Sequence, residues 1–262
     1  MKYSICIDAV FQNRGSFLEA MKLVKECGYQ AFEFWSWWDK DIDSIVAAKE
    51  DLGLEVATFC TKFANPGDKT LQKDFITGWK ETVDTAKKLD TKAIIMQAGY
   101  QSEVISYKEH RNSLIETVKE ASKIAEQEDV TLLIEPLNTL VDHKGYHMWS
   151  SLDAFEFCDQ INNPKVKVLF DIYHQQIMEG NLISNITANI DKIGHFHAAG
   201  CPGRAELMTG EINYRNVILA IELTGYEGYL GLEYMTKEDP KKSLLETKSY
   251  LQHNDRLGLD LL

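Results

Sequence analysis

Residues 8–17 read DAVFQNRGSF. They follow a strand-like run that opens at Tyr3 and lead into SFLEAMKLVKECG, whose apolar residues recur at helical spacing. The segment is therefore the first strand-to-helix turn. An open, doubly wound parallel sheet places a glycine-rich GxGxxG phosphate loop at this turn. Gly15 is the only glycine here, and the motif is absent. The turn favours the closed alternative, a barrel.

The same unit recurs along the chain. Strand-like runs are YSICIDAV from 3, AFEFWSW from 31, EVATFCT from 55 and AIIMQAG from 93. Four more follow: TLLIEPLN from 131, VKVLFDIYH from 166, KIGHFHAAG from 192 and GYLGLEY from 228. Amphipathic helical patterns such as DFITGWKETVDTAKKLD and HRNSLIETVKEASKIAEQED lie between them. Strands that alternate with helices pair in parallel, and near-continuous apolar strands are covered on both faces. Eight such units in 262 residues predict an α/β fold, a single (β/α)8 TIM barrel spanning 1–262.

Composition narrows the function. With 44% hydrophobic and 26% charged residues the chain is an ordinary globular sequence, and no apolar run is long enough to span a bilayer. A net charge of −12 disfavours a nucleic-acid partner. The five cysteines, Cys6, Cys27, Cys60, Cys158 and Cys201, are scattered and form no CxxC pair. Reduced thiols in a cytoplasm fit that usage, as does an N-terminus that goes straight into a strand with no signal peptide. The expectation is a cytoplasmic protein with no membrane partner.

A barrel of this type builds its catalytic face from the C-terminal ends of its strands. Strand 5 ends at Glu135, strand 6 at Asp171, strand 7 offers His195 and His197, and strand 8 ends at Glu233. The steps Glu135–Asp171, Asp171–His197 and His197–Glu233 are 36, 26 and 36 residues, each about one β/α unit. A single carboxylate at a strand end is often only a helix cap. Four groups in register on four consecutive strands point instead to one metal site: Glu135, Asp171, His197 and Glu233. Three carboxylates and an imidazole suit Mg²⁺ or Mn²⁺, with Zn²⁺ or Co²⁺ also compatible. His195, two residues deeper on the same face, reads as a hydrogen-bonded interior residue or a support for the ligands.

Three further features stand near that mouth. His174 follows strand 6 as a polar residue of no special signature. Arg204 is the one basic residue of the loop CPGRAELMTGEINY. Its guanidinium either clamps a carboxylate or oxygen near the metal or forms a surface ion pair with Glu206 or Glu211. The three tryptophans of FEFWSWWDK divide between packing under helices and walling a small polar substrate.

The cluster permits a definite chemistry. A substrate that chelates the ion through a carbonyl and a neighbouring hydroxyl has its enediolate stabilised by a Lewis acid. One of Glu135 and Glu233 takes a proton from carbon and the other returns one. Return to the adjacent carbon gives an isomerase; return to the same carbon on its other face gives an epimerase.

The stretches IEPLN followed by GY, FDIYHQQIMEGNL, IGHFHAAGCPGR, TGEINY and GYEGYLGLEY resemble the xylose isomerase-like barrel superfamily, and most closely its hydroxypyruvate isomerase family. They cover residues 131–234; the N-terminal half matches mainly in its β/α rhythm. The resemblance implies that Glu135 and Glu233 are both acid–base pair and metal ligands, and that Asp171 and His197 complete the site. By similarity to ketose 3-epimerases it implies that His174 and Arg204 contact substrate oxygens. It further implies an aldose–ketose type isomerase of carbohydrate metabolism acting on a small hydroxy-oxo acid or ketose, with hydroxypyruvate giving tartronate semialdehyde, and is compatible with a homo-oligomer. The chain departs from the family in places. Hydroxypyruvate isomerases commonly have Gln at the position of His197 and His at that of Ala205, while 3-epimerases have His at 197 and a second Glu at the position of Val141. An apurinic-site endonuclease shares DIYH but needs histidines where this chain has TFCTK and IMQAG, and an Asp-x-His after strand 7. A non-catalytic sugar-binding barrel would need no pair of glutamates.

Overall fold

Each of the eight apolar runs forms a strand in the computed structural model, which describes residues 1–102 and 104–252. They are β1 (Lys2–Cys6), β2 (Ala31–Phe34), β3 (Glu55–Phe59), β4 (Ala93–Gln97), β5 (Thr131–Glu135), β6 (Val166–Asp171), β7 (Ile193–Ala198) and β8 (Tyr229–Leu232). All pair in parallel, in the order β3-β2-β1-β8-β7-β6-β5-β4. The two outer strands meet through a parallel bridge between Cys60 and Ile95, with Thr61 N donating to Ile95 O at 2.8 Å. The sheet thus closes into a TIM barrel.

The helices are α1 (Ile7–Phe11), α2 (Phe17–Glu26), α3 (Ile42–Leu52), α4 (Gln72–Leu89), α5 (Tyr107–Gln127), α6 (Ser151–Ile161), α7 (Ile172–Met178), α8 (Leu182–Ala188), α9 (Tyr214–Leu223) and α10 (Pro240–Gln252). Reciprocal capping boxes start α2 (Ser16 with Glu19) and α5 (Ser106 with Glu109), satisfying backbone donors that have no partner within the helix. All eight strand-like runs extend past the ends of their strands, and in two of them the strand gives way directly to helix. The chain turns helical at Ile7 and at Ile172, inside YSICIDAV and VKVLFDIYH. Short apolar runs do not distinguish strand from helix by periodicity. At the second of these turns the Asp171 carboxylate accepts from Tyr173 N (2.7 Å) and His174 N (3.1 Å) and so caps α7.

Alternation along the strands sorts the barrel interior into layers. Two residues below Glu135, Asp171, His197 and Glu233 lie Leu133, Leu169, His195 and Gly231. Leu133 and Leu169 pack with Ile95 in a small apolar cluster separate from the main core between strands and helices. On the opposite side the deeper layer is polar: Ser4, Glu33 and His195 are buried and hydrogen-bonded together. The layer of Glu135, Asp171, His197 and Glu233 rests on this floor, half aliphatic and half polar.

Candidate active site

Strand register brings the four predicted ligands together. Asp171 and His197 are paired residues on β6 and β7, Glu135 ends β5, and Glu233 follows β8 with its N–H donating to Ala198 O at 3.0 Å. All four are buried, and one ligand atom from each lies within 4.8 Å of the others. His197 Nδ1 is 3.3 Å from Glu135 Oε1 and 3.4 Å from Glu233 Oε2.

The charge balance favours a cation. Glu33, Glu135, Asp171 and Glu233 are all buried around His197, with the Arg204 guanidinium paired to Glu233. Buried carboxylates without compensation are costly. Among the described residues Glu33 Oε1, Glu135 Oε1 and both ring nitrogens of His197 are shielded from solvent yet have no hydrogen-bond partner. An oxygen-rich donor set with open lone pairs fits a divalent ion. Cys60 also lines the cavity, but burial pushes its thiol well above the ordinary range, so it offers no thiolate.

The two glutamates sit in different environments. Burial pushes Glu135 up to about 7, against the pull of His197. Glu233 is buried too, but Arg204 and His197 outweigh that and hold it well below the usual carboxylate range. Both its oxygens are engaged: Trp35 Nε1 donates to Oε1 at 2.6 Å, and Arg204 Nη2 donates to Oε2. Of the two readings for Arg204, neither surface pair forms. Glu206 is instead bound by Thr236, Lys237 N and Ser243. The Arg204 backbone takes a left-handed φ of 51°, and its guanidinium lies 5.6 Å from the Tyr173 ring.

His174 is fully buried, contrary to its reading as an ordinary polar residue after a strand. Asn138 directs both its backbone N–H (3.2 Å) and its side-chain amide (2.6 Å) at His174 Nδ1. Nδ1 must then accept, which puts the proton on Nε2. Nε2 is 3.5 Å from Asp171 Oδ2 and has no hydrogen-bond partner among the described residues. Asp142 anchors the arrangement, accepting from Asn138 Nδ2 at 2.7 Å and from Tyr173 Oη at 2.8 Å.

Above the cluster opens a cavity of about 340 Å³. Trp35, Trp38, Phe63 and Leu137 form an apolar wall; Gln97, His143 and Arg204 supply polar groups. Of the three clustered tryptophans, Trp37 instead turns under the helices and donates to Thr82 Oγ1 at 3.1 Å. Val141 is 66% exposed and does not line the cavity.

A family model for the xylose isomerase-like TIM barrel matches residues 21–253. The chain belongs to the xylose isomerase-like TIM barrel family. Within this family it is similar to the hydroxypyruvate isomerase of Escherichia coli (strain K12), 31% identical over 226 residues that cover 83% of this chain and 87% of the relative. The 2-oxo-tetronate isomerase of Cupriavidus necator is 28% identical over 254 residues, covering 93% and 96%. A crystal structure of an AP endonuclease, family 2, from Brucella melitensis superposes with a TM-score of 0.87 and 27% identity, covering 95% of this chain and 98% of that one. This xylose isomerase-like barrel is an isomerase. Where the endonuclease reading needs histidines, its third and fourth strands bring Cys60, Thr61 and Gln97 to the cavity.

Sequence reasoning missed Glu33, the Trp35 donor and the Asn138–Asp142 bracket behind His174. A lone acid in the apolar run AFEFW was the available signal for Glu33. Asn138 stands in the IEPLN stretch, but nothing there or at Asp142 points to His174, because a loop's hydrogen-bond targets are not encoded in its spacing.

Proposed function

We infer that the chain is a divalent-metal-dependent isomerase of a small α-hydroxy carbonyl acid, of the hydroxypyruvate or 2-oxo-tetronate kind. The observation that carries this reading is the pairing of two buried glutamates, in contrasting environments, around one four-ligand cluster. Glu135, Asp171, His197 and Glu233 would hold the ion, with Mg²⁺ or Mn²⁺ suited to three carboxylates. Bound there, it supplies Lewis acidity to the carbonyl and hydroxyl oxygens of the substrate.

The protein's own groups do the proton work. Glu233, kept ionised by Arg204, takes the proton from the hydroxyl-bearing carbon. Glu135, whose burial lets it hold a proton near neutral pH, gives one to the former carbonyl carbon. The hydroxyl proton passes to the neighbouring oxygen, so the carbonyl moves by one carbon and no atom is gained or lost. His174 Nε2–H donates to a substrate oxygen, and Arg204 adds positive potential for the substrate carboxylate. The tryptophan wall limits water around the enediolate.

The deciding experiment is proton NMR in D₂O with Mn²⁺ or Mg²⁺ supplied, on hydroxypyruvate, 2-oxo-tetronate and ketoses. Deuterium on the original carbonyl carbon, now next to a shifted carbonyl, is the expected result. Inversion at an unshifted ketose would favour the 3-epimerase reading, which His197 supports and the exposed Val141 opposes. Glu135→Gln and Glu233→Gln that both keep full turnover would remove the acid–base assignment.

A further inference from the structure

Glu33 lies in β2, an otherwise apolar strand, and is buried. Its neighbours compensate the charge. Ser4 Oγ donates to Oε2 at 2.7 Å, and His195 Nε2 lies 3.1 Å from the same oxygen. The other oxygen, Oε1, stands 2.9 Å from His197 Nε2, close enough for an ion pair but not aligned as a hydrogen bond: among the described residues neither atom has a hydrogen-bond partner. Gly231 on β8 makes the room: a Cβ there would come within 2.2 Å of Oε1. Three strands besides β2 therefore shape a place for one carboxylate, directly below the four-ligand cluster.

His197 consequently has carboxylates on both edges of its ring. Nε2 faces Glu33, and Nδ1 faces Glu135 and Glu233. An imidazole that ligates through one nitrogen keeps its proton on the other, and an acceptor behind that nitrogen fixes both the tautomer and the ring plane. We propose that Glu33 is the positioning residue that makes His197 a ligand through Nδ1. It retains the proton on Nε2 and aims the Nδ1 lone pair at the point shared with Glu135, Asp171 and Glu233. Ser4 and His195 in turn hold Glu33. The deeper histidine of the GHFHAAG strand thus acts on its neighbour through a carboxylate from the other side of the barrel. This inference rests on the metal reading above and adds to it a residue outside the ligand set.

The test compares full-length wild type, Glu33→Gln and Ser4→Ala. Mn²⁺ binding is read from the free-ion EPR signal, Co²⁺ coordination from visible absorption, and folding from circular dichroism. Folded Glu33→Gln is expected to bind Mn²⁺ roughly tenfold to a hundredfold more weakly. Its Co²⁺ spectrum should change, because the imidazole no longer ligates in the same way. Ser4→Ala, which frees the carboxylate without removing it, should show a smaller loss in the same direction. Folded Glu33→Gln with wild-type affinity and a wild-type Co²⁺ spectrum overturns the proposal and leaves the metal reading standing. If Glu33→Gln does not fold, unchanged affinity and spectrum in Ser4→Ala overturn it. Wild type that binds neither Mn²⁺ nor Co²⁺ overturns both.

Discussion

The indole of Trp35 reaches across the barrel mouth and donates to Glu233 Oε1 at 2.6 Å. Arg204 takes the other oxygen, so Glu233 is fixed before any substrate enters. Trp35→Phe retains an apolar wall and removes only the donor. A hydrogen bond to a charged acceptor contributes about 1.5–3 kcal/mol. We expect kcat/KM to fall by roughly ten- to a hundredfold and the melting temperature to fall as well, because the bond is already made in the folded protein without substrate. Steady-state kinetics beside a thermal melt checks this; a wild-type rate would mean that the indole serves only as a wall.

Arg204 offers a sharper discrimination. As a clamp for the substrate carboxylate alone, its loss would raise KM. As the partner of Glu233, its loss leaves a buried carboxylate without its counter-charge. Removing one member of a buried pair costs about 3 kcal/mol. Arg204→Met is therefore expected to lower kcat more than it raises KM, and to lower stability to urea by about that amount. A pure KM effect at unchanged stability would return Arg204 to the clamp role.

His174 should exist as the Nε2–H tautomer, because two N–H donors from Asn138 occupy Nδ1. Nitrogen-15 NMR of the imidazole ring in the metal-free protein reads this directly. Loss of the ring in His174→Phe leaves those donors unpaired and removes the Nε2–H aimed into the site. The expected result is a fall in stability of about 1–3 kcal/mol and at least a tenfold fall in kcat/KM. An Nδ1–H signal for His174 would contradict the assignment.

The closed sheet and the convergence of four buried polar groups were legible in the sequence for one physical reason. A carboxylate or imidazole at the end of an apolar run is costly to bury, so its position marks a site. Glu135, Asp171 and Glu233 stand at or just past the ends of their strands and His197 one residue before the end of its own, spaced by whole β/α units. Glu33 follows the same cost argument but lies inside its run, and its partners Ser4, His195 and His197 are 29, 162 and 164 residues away. Only barrel closure brings them together. Arg204 was visible as a lone cation in its loop, but its choice of Glu233 over Glu206 depends on a left-handed backbone turn that local composition does not announce.

One consequence concerns stability rather than catalysis. His147 is sandwiched between the rings of His110 and Tyr107, with centroids at 3.9 and 4.3 Å. Its Nδ1 lies 3.0 Å from Gln101 Oε1, and its Nε2 is buried without a partner. Burial, with His110 and Arg111 adding to it, pushes His147 from the usual 6.5 down to about 3. Between those values the unfolded chain takes up a proton that the folded chain refuses, so folding stability drops as the pH falls. With allowance for solvent screening, this group alone should remove about 1–2 kcal/mol between pH 7 and pH 5. His147→Phe preserves the stack and cannot titrate. It loses the bond to Gln101 at every pH, and that loss is constant across the range. Urea denaturation at pH 7 and pH 5 should therefore show a steeper acid loss for wild type than for His147→Phe. Equal losses in the two proteins would mean that His147 is protonated in the folded state as readily as in the unfolded one.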